Sequence, residues 1–243
     1  MALDPKKLQK KRARKAAKRK AVVTRKAVTQ PGLLAIAARA INLATKAPIH
    51  QCLTAAEMFT SGMGTVVVSR ALPDGRIGVS FFLLDVYCLG VKNAYFLPMS
   101  RDEYEYRLDS IAENETMTPI QPAHARKLIE DAEAYARDLG FSPHPDYQLA
   151  KRIMGDIDAS ACATSFTFGK DGQPFFIAGP HDAPRRIDKI IETLTQRCGP
   201  NGFHYVLPLG DPFDFDDDGT IEIEFEEEDE DEDEDEGAGR KMD

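Results

Sequence analysis

Residues 64–97 read GTVVVSRALPDGRIGVSFFLLDVYCLGVKNAYFL, the longest apolar and β-branched run in the chain. One turn, Pro73-Asp74-Gly75, interrupts it. An Asp-Gly between two such runs predicts a β-hairpin. The second arm, Ile77 to Val86, is almost continuously apolar, which predicts a strand buried on both faces at the centre of a sheet. One carboxylate, Asp85, closes that arm, and Cys88, Gly90, Lys92 and Asn93 follow it.

Upstream, Leu33 to Lys46 reads as an Ala-rich amphipathic helix with Leu34, Ala37, Ile41 and Ala44 on one stripe, stopped by Pro48. Thr54-Ala55-Ala56-Glu57 fits a capping box that opens a short helix. Downstream, Ser100-Arg101-Asp102-Glu103 fits another, opening a helix with Tyr104, Leu108 and Ile111 at helical spacing. Thr116 to Gln121 reads as a connection. Pro122 to Leu139 carries the clearest helical stripe, Leu128, Ala132, Tyr135 and Leu139, and Gly140 ends it. Asp146 is expected to cap a short helix running to Met154, ahead of the Gly155-Asp156-Ile157-Asp158 loop.

A second hairpin is expected from Thr164–Gly169 and Pro174–Ala178, turning at Lys170-Asp171-Gly172. Asp182 and Pro184 open a helix with Ile187, Ile190, Ile191 and Leu194 inward, and Phe203 to Leu207 reads as a strand. Helices, hairpin, helices, hairpin, helix and strand in that order predict an α+β fold rather than a doubly wound sheet. The expected organisation is a basic disordered arm over 1–30, one α+β domain with two β-hairpins and packed helices over 33–209, and an acidic, mostly disordered tail over 210–243.

Charge is distributed very unevenly. Residues 1–26 hold 12 Lys/Arg against one Asp, residues 211–243 hold 19 Asp/Glu against two Lys/Arg, and the whole chain carries −9. The arm's cations are Lys6, Lys7, Lys10, Lys11, Arg12, Arg14, Lys15, Lys18, Arg19, Lys20, Arg25 and Lys26. Such density suits displacement of counterions from a phosphate backbone, which makes RNA, DNA or the ribosome the expected partner. The arm lacks aromatics for base stacking, so contacts are expected to be independent of sequence. The unbroken acidic run Glu226–Glu236 is expected to attract a basic protein, or to compete with nucleic acid for the arm.

No window of apolar residues reaches the length of a membrane span, and the N-terminus lacks the apolar core of a secretory leader. Cys52, Cys88, Cys162 and Cys198 are far apart, as expected of reduced thiols in a cytoplasmic protein.

The catalytic candidates are Asp85, His50, Asp156 and Asp158, with His181 and Asp182 after them. A carboxylate in an apolar strand needs a partner, so Asp85 is either a structural anchor or a tuned acid/base. Asp156 and Asp158 flank a loop that could take a divalent metal, but their spacing also suits turn and helix capping. Asp182 is accounted for as an N-cap. A zinc site would need Cys88, Cys162, Cys198 and His204 to converge on His50 and Cys52. Asp214, Asp216 and Asp218, with Gly219 and Ile221, match the opening of an EF-hand loop, but position 12 is Phe225 where a bidentate Glu belongs. No nucleotide-binding glycine loop, nucleophile elbow or HExxH motif occurs, so no cofactor is expected.

The stretches Pro48–Leu53, Phe82–Ala94, Gly155–Asp158 and Phe168–Gly172 resemble a family of uncharacterised bacterial cytoplasmic proteins over roughly Ala35 to Leu209. That resemblance implies a bacterial cytoplasmic setting and carries no activity. The leading expectation is therefore a nonenzymatic nucleic-acid- or ribosome-associated protein that binds phosphate backbone through its arm. The alternatives are a metal-dependent hydrolase acting on a phosphoester or nucleotide through Asp85, Asp156 and Asp158, and a protein-interaction module using the charged tails.

Overall fold

The computed structural model describes residues 39–179 and 182–207. The arm, the acidic tail, the calcium-loop match at 214–225 and His181 lie outside them. The chain divides into two units, Met1–Leu207 and Pro208–Asp243, and all described residues belong to the first.

The quoted run forms three consecutive antiparallel strands: β2 (Met63–Ala71), β3 (Ile77–Asp85) and β4 (Gly90–Met99). The Pro73-Asp74-Gly75 turn closes β2 on β3 with Ala71 opposite Ile77, and Gly75 takes the positive φ that the turn demands. Strand β1 (Ile49–Ala55) pairs with β2, and the short β5 (Met117–Pro119) pairs with β1. The sheet order is β4-β3-β2-β1-β5. With helices packed on this sheet among the described residues, the fold is α+β.

Alternation along β2 and β3 sends Val66, Val68, Phe82 and Leu84 to one face and Val67, Val79 and Phe81 to the other. The first face is covered by the helical segment 39–44 (α1) and by α4 (Pro122–Asp138) and α5 (Tyr147–Ala150). The 3₁₀ turn Lys151–Met154 adds Ile153 and Met154 to the same core. The second face is covered by α3 (Arg101–Ala112), through Tyr104, Leu108 and Ile111. Layers on both sides explain why β3 is buried along its whole length but for the half-buried Leu83.

Asp85 ends β3 at a turn that the apolar run conceals. Its carboxylate accepts hydrogen bonds from the backbone N–H of Tyr87 (3.1 Å) and Cys88 (2.8 Å). Gly90 then restarts the chain at φ +63°, where a Cβ would lie 2.5 Å from the Ala136 Cβ and 2.6 Å from the Ala132 carbonyl oxygen. Only glycine permits both that backbone conformation and that approach of α4.

A smaller core at this end of the sheet joins Cys88 and Leu89 to Leu139, Phe176, Ile190, Leu194 and Phe203. It is built by β6 (Phe175–Ile177), α6 (Pro184–Cys198) and β7 (His204–Val206). The expected second hairpin is not formed. The Lys170–Gln173 turn makes a single bridge, and β6 pairs in parallel with β7 across α6. Phe166 and Phe168 instead pack their rings on Phe59, His124 and Tyr135, which commits the preceding segment to α4 rather than to β6.

Three caps also differ from expectation, the first being Asp146, which precedes α5 in helical conformation and makes no side-chain cap hydrogen bond. Thr54 lies in β1, so the short helix α2 (Met58–Ser61) starts at Glu57 without a side-chain cap. Ala183 is the N-cap of α6, while Asp182 reaches back to accept the Gly179 N–H (2.9 Å) and pairs with Arg186 (3.2 Å). Ser100 does cap α3, accepting from the Glu103 N–H at 3.2 Å.

Candidate functional site

The sequence candidates occupy three separate parts of the sheet. His50 sits at the irregularity between Ile49 and Gln51 in β1, where its ring meets Tyr104 of α3 edge-on at 5.6 Å. Around it Tyr104 bonds Gln51 (2.6 Å) and Ser69 (3.1 Å), and the Ser69 hydroxyl donates to the Gln51 carbonyl (2.9 Å). Partial burial, and then the nearby Arg101, lower the His50 pKa, against a smaller opposing effect of Glu105. At neutral pH that imidazole is a neutral, edge-packed side chain.

Asp156 and Asp158 lie on the opposite face, on the loop after the 3₁₀ turn. Gly155 enters that loop at φ +51°, and a Cβ there would stand 2.3 Å from the Thr45 carbonyl oxygen, so both the conformation and the approach require glycine. The side chain organising this region is Arg70, at the end of β2 and only 3% exposed. Its guanidinium donates to the carbonyls of Ala47 (2.5 Å), Ile153 (2.7 Å) and Met154 (2.8 Å), and to Asp156 Oδ1 (3.1 Å). Asp156 is itself exposed, and the hydrogen bond from Arg70 holds its carboxyl below the ordinary range. Asp158 caps the short 3₁₀ segment Ala159–Ala161 through Ser160, whose backbone N–H (2.9 Å) and hydroxyl (2.8 Å) it accepts; that bonding likewise lowers its pKa.

Asp85 is at the other end of the sheet. Arg70 stands opposite Gly78, and Asp85 is seven residues further along β3, about 23 Å at the usual strand rise. It is 6% exposed, and burial pushes its pKa up. The N–H groups of Cys88, Leu89 and Tyr87 and the charge of Lys92 act in the other direction. The principal partners of Asp85 are thus turn amides rather than a second carboxylate or an imidazole.

The three carboxylates and His50 therefore do not share one cleft. Among the described residues, no three His, Cys, Asp or Glu side chains are grouped as a metal site. The thiols are dispersed too. Burial pushes Cys52 up to about 11 and Cys88 higher still, so both are protonated at neutral pH.

Sequence reasoning passed over Arg70 and the α4–α5 region beside it. A lone Arg closing the VVVS run of β2 was the available signal, because a cation in a buried strand has to find acceptors. What the sequence could not give is that those acceptors are the carbonyls of two segments 23 and 84 residues away.

No described helix is long and apolar enough to cross a membrane. In comparisons with known proteins, no family model matched this chain, and neither a curated protein nor a solved structure matched it.

Proposed function

We propose that the protein is a nonenzymatic nucleic-acid-associated factor that grips phosphate backbone through its basic arm, with the acidic tail tempering that grip. The observation that carries this reading is the arm's charge: 12 Lys/Arg against one acid in residues 1–26. Counterion release from a polyanion rewards such a segment whatever the base sequence. The separation of Asp85, Asp156 and His50 supports the nonenzymatic side of the reading, since acid–base and metal-assisted hydrolysis both need groups within hydrogen-bond reach of one reacting atom.

The test is full-length protein beside a full-length variant with Lys6, Lys7, Lys10, Lys11, Lys15 and Lys18 all changed to Gln. Both are titrated against single-stranded RNA and duplex DNA of unrelated sequences. The expected result is comparable binding to different sequences by the wild type and a large loss in the variant. Equal binding by the two proteins would contradict the proposal.

A further inference from the structure

Beside the Arg70-held loop, α4, α5 and the following 3₁₀ turn enclose a groove of about 670 Å³, within the size range of small-ligand sites. Its wall includes Tyr147, which is 2% exposed. The ring packs edge-on against Phe82, and among the described residues its hydroxyl makes no hydrogen bond and is not one of the fully buried unpaired atoms, so it opens on the groove. Burial, together with the nearby Glu133 and Glu130, raises its pKa, so it is a phenol O–H with a proton to donate.

The acidic side chains around this hydroxyl are already engaged. Glu130 is held by Arg126 at 2.8 Å and Glu133 by Arg137 at 3.1 Å, while Asp131 pairs with Lys127. The cations of the opposite wall are not. Lys151 lies over the Tyr147 ring at 5.1 Å with no carboxylate in salt-bridge range among the described residues. Arg152 gives one N–H to the neutral amide oxygen of Asn42, which leaves most of its donors open. Acceptors in the groove are thus largely satisfied, and donors with positive charge are in excess.

We infer that this groove binds a phosphate group, with Lys151 and Arg152 as its charged donors and the Tyr147 hydroxyl, at the edge of a buried ring, as the uncharged one. Two exposed cations on one turn and a phenol on a packed ring suit the several acceptor oxygens of a phosphate. The ligand is either a free phosphorylated small molecule, such as a nucleotide, or one phosphodiester of a nucleic-acid backbone. The inference is independent of the arm, because none of its donors lies in residues 1–30.

The experiment uses the full chain with two probes, adenosine monophosphate and a labelled single-stranded RNA. The variants are Lys151→Gln/Arg152→Gln, Tyr147→Phe, and Arg185→Gln/Lys189→Gln as a charge-matched control on the exposed face of α6. Melting curves establish that each variant is folded. The groove double variant is expected to weaken binding about tenfold or more and Tyr147→Phe about threefold, with the control unchanged. A loss for the nucleotide alone identifies a free phosphorylated ligand, and a loss that includes RNA identifies a backbone subsite. Unchanged affinity for both probes in the groove variants, absence of any groove-dependent binding, or an equal loss in the α6 control overturns the inference. Neutralising the arm lysines removes RNA binding without touching nucleotide binding, so the two readings fail separately.

Discussion

At the scale of single residues, the Asp85 carboxylate is exposed to two opposing effects. Burial disfavours its charge, while two turn amides bond the same oxygen, Oδ1. An Asn at this position keeps that oxygen and removes the charge. Asp85→Asn is therefore expected to fold normally, whereas Asp85→Ala leaves two buried N–H groups unpaired and costs about 1–3 kcal/mol or more. The pH sign follows from the raised pKa. The native state holds its proton more tightly than the unfolded chain, whose pKa is 3.8. The stability this contributes is complete below pH 3.8 and is lost as pH rises through the native value. Thermal melts of wild type and Asp85→Asn between pH 3 and 7 test this. Relative to the variant, wild type is expected to be at its best at the acid end. A difference that does not change with pH would show that Asp85 is not held in this way.

At the scale of elements, Arg70 ties the end of β2 to α1's exit and to the loop after α5. Losing it strips three backbone carbonyls of their donor, so Arg70→Ala is expected to cost at least about 3 kcal/mol. Asp156→Asn is expected to leave the melting temperature almost unmoved, because that carboxylate is largely in water. Denaturant unfolding of the two variants checks the contrast; equal losses would make the ion pair rather than the carbonyl bonds the stabilising contact. The strands and helices of this region were legible wherever one local pattern ruled. The Asp-Gly turn, the Ser100 cap and the α4 stripe all depend on residues within a few positions of one another. The turn after Asp85 was not legible, because its residues are apolar and its stability comes from a carboxylate bonding backward and from α4 packing on Gly90. The second hairpin failed for a similar reason: the Asp-Gly turn exists, but ring contacts at Phe166 and Phe168 and pairing with β7 decide where its arms go. Candidate site residues were legible as residue types only, since their separation across the sheet is a property of register and face.

At the scale of the whole molecule, the dominant feature is the opposition of a cationic first segment and an anionic last one, with residues between them nearly balanced. Opposite charges on one chain compete with external ions and polyanions, and that competition fades as salt screens it. Deleting Glu226–Glu236 is accordingly expected to tighten RNA binding at low ionic strength and to have little effect at high ionic strength. Anisotropy titrations of the two proteins at two salt concentrations measure it, and an affinity unchanged at low salt would remove the tail from the account.

The most direct test of the central claim is the salt dependence of RNA binding by the full chain and by the arm variant with six Lys→Gln changes. Each phosphate contact on single-stranded RNA contributes about −0.7 to the slope of log affinity against log salt. The account predicts a steep negative slope for the wild type and a slope several units shallower for the variant. Identical slopes, or binding by the wild type that salt does not weaken, would contradict it.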